Sequence, residues 1–113
     1  MGNVSVFRGV GDRSQRWFWR LEDKKGGCLA VGGEPFATKY TAKRSIDRLQ
    51  DLLTFGGFEV KATMAKNGKY YWCVYSRNAK LMAKGTKMIK SKKMSLNNFK
   101  TFKKRFLEAE ICE

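Results

Sequence analysis

The sequence predicts an α+β fold in which two tandem βββα repeats form one two-layer domain, with an antiparallel sheet and one helix per repeat. Three observations predict it. The chain aligns with itself without a gap at an offset of 53 residues (Trp72 minus Trp19). Within each half, the spacing of apolar residues changes from about two, typical of strands, to about three and a half, typical of a helix. The length of 113 residues suits a single compact domain.

The self-alignment pairs residues of the same kind along most of its length. Trp19 is paired with Trp72 in the middle of a strand-like segment. Other pairs are Leu21 with Val74, Ala30 with Ala83, Gly32 with Gly85, Phe36 with Ile89, Thr38 with Ser91, Lys39 with Lys92, Ile46 with Phe99, Leu49 with Phe102 and Leu53 with Phe106. We therefore expect one domain over residues 1–113, with repeat one at 1–56 and repeat two at 57–113.

Six segments have the alternation and the flanking turn residues of strands. Asn67-Gly68 is typical of a two-residue hairpin turn, and Gly26-Gly27 marks a turn in the first repeat. Each repeat contributes three of these segments. The predicted strands are Asn3 to Arg8, Gln15 to Asp23, Gly27 to Glu34, Gly57 to Ala65, Lys69 to Arg77 and Lys80 to Lys87.

Each repeat ends in an amphipathic helix, because its apolar residues recur at steps of three and four. Thr38 or Thr41 is expected to cap the first helix and Ser95 the second, since a side-chain oxygen there accepts hydrogen bonds from the first backbone N–H groups. The predicted buried stripes are Ala42, Ile46, Leu49 and Leu53 in the first helix, and Leu96, Phe99, Phe102 and Phe106 in the second.

The motifs of both repeats resemble those of the YegP-like family of small duplicated proteins. The matching motifs are Trp19-Arg20-Leu21, Gly26-Gly27, Leu29-Ala30, Thr38-Lys39 and Ser45-Ile46 in the first repeat, and Tyr71-Trp72-Cys73-Val74, Asn78-Ala79 (where the family usually has Asn-Gly), Lys90-Ser91-Lys92 and Asn98-Phe99 in the second. The resemblance covers nearly the whole chain and implies tandem βββα units. It brings no established activity and no catalytic residues. This chain is more basic than the resemblance implies, particularly in its second repeat.

The charge is strongly positive, with 24 Lys and Arg against 10 Asp and Glu and a net charge of +14. Such a field attracts phosphate polyanions. Most of the excess lies in the second repeat, where residues 57–113 hold fourteen bases and four acids and no acid occurs from Val60 through Leu107. This distribution favours a surface that follows a phosphate backbone over one that serves solubility alone.

Strand alternation separates a core face from an open face in each repeat. The residues that fit a helix-covered core are Trp17, Trp19 and Leu21 in the first repeat and Tyr70, Trp72 and Val74 in the second. Those expected on the open face are Arg16, Phe18, Arg20, Glu22, Lys69, Tyr71, Cys73, Tyr75 and Arg77. Bases mixed with aromatic rings bind single strands by charge attraction and base stacking. The alternative is that Phe18 and Tyr71 pack between the repeats.

We therefore expect a non-enzymatic protein that binds single-stranded RNA or DNA with little sequence specificity. Strand-rich repeats closed by one helix are similar in plan to PUR, Whirly and PC4-like proteins, which bind single strands across a curved sheet, and this likeness is an analogy of fold. The expected binding residues are Arg16, Phe18, Arg20, Lys69, Tyr71, Tyr75, Arg77, Lys84, Lys87, Lys90, Lys92, Lys93, Lys100, Lys103 and Lys104. The alternative is a protein-interaction module, such as a small inhibitor or accessory factor, that docks on an acidic protein or a ribonucleoprotein.

Catalysis, metal binding and cofactors are not expected. The sequence has no histidine, which is the commonest general base and metal ligand near neutral pH. Its three cysteines form no C-x-x-C pair, and Cys28 and Cys73 are expected to be small buried hydrophobes. No apolar run reaches the length of a membrane span, and no signal peptide is visible. We expect a cytoplasmic protein with no membrane partner, in which an open sheet edge would allow a homodimer.

Overall fold

The computed structural model describes residues 2–9, 15–23 and 25–112, in which three strands and a helix are followed by three strands, a helix and a short strand. The elements are β1 (Asn3–Arg8), β2 (Trp17–Glu22), β3 (Cys28–Gly32), α1 (Lys39–Phe55), β4 (Phe58–Met64), β5 (Tyr70–Ser76), β6 (Leu81–Gly85), α2 (Lys92–Glu108) and β7 (Glu110–Cys112). All six predicted strands are present, each within its predicted bounds. Both predicted helices are present as well, whereas β7 was not predicted.

The strands form one sheet in the order β4-β5-β6-β3-β2-β1-β7. The six strands from β4 to β1 are antiparallel to their neighbours, and β7 joins β1 in parallel. The two halves of the sheet meet where β3 pairs with β6. The Cα partners there are Ala30 with Gly85, Val31 with Lys84, and Gly32 with Ala83. At the offset of 53 residues, Ala30 corresponds to Ala83 and Gly32 corresponds to Gly85, so the first and third pairs are equivalent. Val31 corresponds to its own partner, Lys84, and this pair therefore lies at the centre of the arrangement.

Both helices cover the same face of the sheet, and the buried apolar side chains form one cluster between the two layers. The ring of Trp19 lies 5.5 Å from that of Phe106, and the ring of Trp72 lies 4.5 Å from that of Phe102. Trp19, Leu21, Trp72 and Val74 are fully buried in this cluster. The predicted core face of β2 and β5 is therefore confirmed, and so is the α+β class.

The helix starts agree with the sequence in the first half and differ in the second. Thr38 caps α1, because its hydroxyl accepts the Thr41 N–H at 3.1 Å while Thr41 Oγ1 accepts the Thr38 N–H. Ser91 caps α2, with its hydroxyl accepting the Met94 N–H at 3.2 Å. The prediction of Ser95 as the cap is wrong, since α2 begins at Lys92 and Ser95 already lies within its first turn.

Ser95 is fully buried and takes the place in the α2 stripe that was predicted for Leu96, which is 38% exposed. The Ser95 hydroxyl has no hydrogen-bond partner among the described residues. Ala42, at the equivalent position of α1, is also fully buried. Because an unpaired buried hydroxyl costs about 1–3 kcal/mol, Ser95→Ala is expected to raise the free energy of unfolding by about 1 kcal/mol in urea denaturation.

The matched change Ala42→Ser introduces the same hydroxyl into the other helix and is expected to lower the unfolding free energy by a similar amount. If Ser95→Ala destabilised the protein, the hydroxyl would have to make a hydrogen bond in solution.

Candidate nucleic-acid interface

We call the face of the sheet opposite to the helices the open face. Residues that are direct partners in neighbouring strands project to the same face, so the strand registers identify its side chains. They are Ser5 and Phe7 of β1, Phe18, Arg20 and Glu22 of β2, Val31 of β3, Lys84 of β6, Tyr71, Cys73 and Tyr75 of β5, and Glu59, Lys61 and Thr63 of β4. Phe18, Arg20, Tyr71 and Tyr75 thus lie on the face expected from the sequence.

Aromatic stacking and a buttressed arginine organise the β1–β2 end of the open face. The rings of Phe7 and Phe18 stack with centroids 5.8 Å apart and an angle of 26° between their planes. The Arg20 guanidinium carbon lies 4.9 Å from the Phe7 centroid, and its Nε lies 3.2 Å from Glu22 Oε1. Ser5 Oγ donates to the same carboxylate oxygen at 3.1 Å. Glu22 therefore offsets part of the charge of Arg20 and holds it in place.

Phe7 was not among the predicted site residues, although it lies within the predicted strand Asn3 to Arg8, and the observed register makes it the partner of Phe18. The ring of Phe18 stacks on Phe7 of the same half of the sheet. Both Phe18 and Tyr71 also approach the other half, because Phe18 lines a groove with Lys84 of β6 and Tyr71 lines a groove with Val31 of β3. Both Phe18 and Tyr71 are half-buried and keep part of their surface in solvent.

Lys84 lies at the centre of the open face between two grooves. The Phe18 groove has a volume of about 390 Å³, and the Tyr71 groove has a volume of about 530 Å³. Lys84 and Val31 line both. Lys84 is exposed, and no described carboxylate lies within 4 Å of its ammonium group. The other lining residues include Phe7 and Pro35 in the Phe18 groove and Met64 and Met88 in the Tyr71 groove.

The β4–β5 end of the open face carries a second aromatic residue beside a base. Lys61 Nζ lies 5.5 Å from the Tyr75 ring centroid and 3.6 Å from Glu59 Oε1. Loss of solvent raises the pKa of the Tyr75 hydroxyl, and the neighbouring Cys73 adds to the shift. A tyrosine is neutral at physiological pH even at its ordinary pKa of about 10, so this upward shift leaves its charge there unchanged.

Cys28 and Cys73 differ in exposure. Cys73 is buried on the open face, as the sequence predicts, and its Sγ accepts a hydrogen bond from Thr63 Oγ1 at 3.7 Å. Cys28 is exposed, contrary to the prediction, and its thiol donates to the Ala30 carbonyl at 3.6 Å. Partial burial of this sulfur raises the pKa of the Cys28 thiol, with Arg20 opposing the shift. A thiol that stays protonated at neutral pH is a poor nucleophile.

The remaining predicted bases lie outside the strands of the sheet. Arg16, Lys69 and Arg77 are exposed in the segments that flank β2 and β5, at the ends of the strands. Lys87 and Lys90 lie in the loop between β6 and α2. Five more belong to α2, which covers the opposite face of the sheet: Lys92, Lys93, Lys100, Lys103 and Lys104. The predicted residues are therefore divided among the open face, the strand ends and the β6–α2 loop, and α2, which strand alternation and charge counting could not reveal.

A cleft elsewhere in the described chain mixes bases with acids, as does the Phe18 groove, whose lining includes Glu34. The cleft, with a volume of about 790 Å³, lies between α1 and the β5–β6 turn and is lined by bases and by acids, among them Arg44, Arg48, Asp47 and Asp51. In residues 2–9, 15–23 and 25–112, no three His, Cys, Asp or Glu side chains are grouped so that they could hold a metal ion. Over the same ranges, neither helix combines the length and the apolar character needed to cross a bilayer.

These features define a two-layer α+β protein with both helices on one face of the sheet. The other face carries four aromatic side chains, three bases and two acids among the residues named above. The fold is similar to that of the UPF0339 protein from Shewanella oneidensis, whose solution NMR structure has a TM-score of 0.75 at 18% sequence identity. It is also similar to that of yegP from E. coli, a protein of unknown function, with a TM-score of 0.70 at 14% identity. Each likeness covers 97% of this chain and 88% of the other. The predicted resemblance to YegP-like proteins is therefore confirmed for the fold.

No protein-family model matches the chain, and no curated protein matches it. The two structural likenesses lie well below the identity at which a shared activity could be inferred, so they bear on architecture alone. A function must therefore be inferred from the residues of the open face.

Proposed function

We propose that the protein binds single-stranded RNA or DNA across the open face with little preference for sequence. The position of Lys84, an exposed base without a described carboxylate partner between two grooves that contain aromatic rings, supports this proposal most directly. A phosphate held at Lys84 would place the flanking nucleotides over the Phe18 and Tyr71 grooves. Stacking of a base on an aromatic side chain contributes about 1–3 kcal/mol.

Arg20 and Lys61 extend the positive surface on either side of Lys84. Each already has a carboxylate nearby, at 3.2 Å for Arg20 and 3.6 Å for Lys61. A phosphate must compete with these carboxylates, so Arg20 and Lys61 contribute less per residue than Lys84. The predominance of aromatic and apolar lining favours stacking over hydrogen-bond readout of base edges, and stacking tolerates any base because every base has a π face.

We also infer that the two halves of the fold are copies of one βββα unit related by a pseudo-twofold axis near Val31 and Lys84. The same close approach supports this in both halves. A Cβ added to Gly32 would lie 2.6 Å from Trp19 Nε1, and one added to Gly85 would lie 2.5 Å from Trp72 Nε1. Both positions therefore require glycine for the same reason. Such duplication would explain why the central pairing of β3 with β6 is symmetric.

The proposal is tested by fluorescence anisotropy with single-stranded RNA, single-stranded DNA and duplex DNA of equal length, titrated from low to high salt. Both single strands are expected to bind more tightly than the duplex, whose paired bases cannot enter the grooves. The logarithm of the binding constant should fall linearly with the logarithm of salt, with a slope of about −0.7 for each phosphate contacted. Contacts at Lys84, Arg20 and Lys61 would give a slope of about −2.

Absence of single-strand binding at low salt would refute the proposal and turn attention to the alternative, an acidic protein or ribonucleoprotein partner. Equal affinity for the single strands and the duplex would show that charge alone is recognised and that the grooves take no bases.

A further inference from the structure

A second basic surface lies on the side of the molecule that faces away from the open face. The buried stripe of α2 consists of Ser95, Phe99, Phe102 and Phe106. A turn of 100° per residue places Lys93, Lys100 and Lys104 on the opposite side of the helix, with Lys103 and Arg105 flanking them. We call these five residues the α2 surface: Lys93, Lys100, Lys103, Lys104 and Arg105.

The charge of the α2 surface is not a requirement of helix packing. α1 and α2 both have 17 residues and bury equivalent stripes. At the offset of 53 residues, Asp47 of α1 corresponds to Lys100 of α2, and Asp51 corresponds to Lys104. All four side chains are exposed. The same helical position thus accepts either sign of charge, and α2 has lysines where α1 has acids.

The α2 surface also lacks neutralising partners. In the part of the chain that the structure describes, no carboxylate lies within 4 Å of its basic groups. Glu108 shares a surface hollow with Lys104 and Arg105 without forming an ion pair within that distance. Arg105 and Lys87 further line a cavity of about 340 Å³ whose lining contains no acid. Unpaired bases in this arrangement form an electrostatic track for a phosphate backbone.

The sheet and the helical layer separate the α2 surface from the open face. The molecule measures 35 × 33 × 33 Å along its principal axes. A short strand lying on the open face therefore cannot reach the α2 surface without passing around an edge of the sheet. Each surface can accept a strand independently of the other.

We propose that one molecule binds two nucleic-acid strands at once, one on the open face and one on the α2 surface, and so bridges separate strands. This inference rests on the proposed single-strand binding by the open face. The second strand is held by charge alone, because the α2 surface bears no exposed aromatic ring. Stacking adds nothing to the affinity of the α2 surface. Salt is therefore expected to remove a larger fraction of the binding free energy there than at the open face.

The first measurement is the stoichiometry with a single-stranded RNA of about eight nucleotides, which is within the range occupied by one small binding site. We expect two RNAs per protein monomer at low salt, with the weaker one lost first as salt rises. Sedimentation velocity of the complex establishes that both RNAs are bound to one monomer rather than to a dimer. Saturation at one RNA per monomer would refute the bridging inference and leave the proposed function standing.

The second measurement is bridging itself, in which the protein is loaded on an immobilised single-stranded RNA and retention of a second, labelled and non-complementary RNA is recorded. The variant Lys100→Asp with Lys104→Asp copies the residues of α1 and should fold normally. It is expected to reduce retention of the second RNA about tenfold. Its affinity for the first RNA, measured by anisotropy, should change far less, because Lys84 and the grooves are untouched.

A matched control, Arg44→Asp with Arg48→Asp on α1, makes the same change in net charge away from both surfaces. Equal loss of bridging in this control would show that net charge matters rather than the α2 surface, and would refute the inference. Unchanged bridging in the Lys100→Asp, Lys104→Asp variant would refute it as well. If the wild-type protein bound no single strand, the proposed function would fail instead.

Discussion

Phe102→Ala is expected to lower the free energy of unfolding by about 3–5 kcal/mol. Phe102 is 3% exposed, and its ring centroid lies 4.5 Å from that of Trp72 and 5.3 Å from that of Phe106. Alanine removes the ring from the middle of the cluster between α2 and the sheet. The loss includes both the transfer of apolar surface and the cavity left behind, because the surrounding rings fill it only partly.

Phe55→Ala is the matched control, since Phe55 is the last residue of α1 and is 84% exposed. Removal of its ring should change the unfolding free energy by less than about 0.5 kcal/mol. Urea titration followed by circular dichroism measures both variants. A loss below about 1 kcal/mol for Phe102→Ala would mean that the core collapses onto the vacated space.

The position of Phe102 illustrates why the core could be predicted from the sequence. Its place in a helical stripe was indicated once by the steps of three and four residues in its own half and again by Leu49 at the offset of 53. Each of the six predicted strands and both predicted helices had a counterpart at the same offset in the other half of the sequence. Trp19 and Trp72 were assigned to the covered face by strand alternation, and both are fully buried.

Features set by one or two residues were harder to predict. Asn67-Gly68 indicated a two-residue hairpin turn, but Ala65 N–H donates to Lys69 O, so three residues lie in the loop. Gly68 has φ 81°, as expected for a type I turn followed by a left-handed residue. An Asn-Gly pair occurs in both kinds of turn, so the sequence alone could not distinguish them.

Ala79 occupies the left-handed region with φ 60°, at the place where the YegP-like motif usually has glycine. An alanine there costs roughly 1–2 kcal/mol in backbone strain. The turn nevertheless closes, with Ala79 N–H donating to Ser76 O at 2.9 Å and Ser76 N–H donating to Lys80 O at 2.9 Å. The sequence marked the turn, and the surrounding strand pairing determined the conformation of this residue.

The short strand β7 and the cap of α2 depend on tertiary contacts that a local pattern does not contain. β7 has three residues, too few to show alternation, and it forms by pairing with β1 at the far end of the sequence. Ser91 and Ser95 are equally good capping residues in isolation. The start of α2 depends on which of the two serines is buried in the core. Ser95 is fully buried and lies within the helix, so Ser91 is the cap.

The candidate site was predicted in its residue types and only partly in its geometry. Alternation assigned Phe18, Arg20, Tyr71 and Tyr75 to one face, as the strand registers have them. The central place of Lys84 follows from the pairing of β6 with β3, in which Lys84 is the partner of Val31, 53 positions earlier in the chain. The order of strands in the sheet is a tertiary property, so no motif within β6 could have distinguished Lys84 from the lysines of α2.

Two substitutions on the open face are expected to weaken single-strand binding in different ways. Tyr71→Leu removes a stacking surface from the Tyr71 groove while keeping apolar volume, and should lower the affinity by about fivefold or more without changing the salt slope. Lys84→Gln removes one phosphate contact, and should lower the affinity at low salt while making the slope less steep by about 0.7. Anisotropy titrations over a salt series measure both quantities in one experiment.

The controls use the same residue types on α1, away from the open face: Tyr40→Leu, where the tyrosine is 65% exposed, and Arg48→Gln. Neither should change the affinity by more than about twofold, since distant surface charges act only through a screened field.

Because Lys84 and Tyr71 line one groove, the double variant should depart from additivity if one nucleotide touches both. An unchanged salt slope in Lys84→Gln would place the phosphate elsewhere, and unchanged affinity in Tyr71→Leu would leave the open face as an electrostatic surface without stacking.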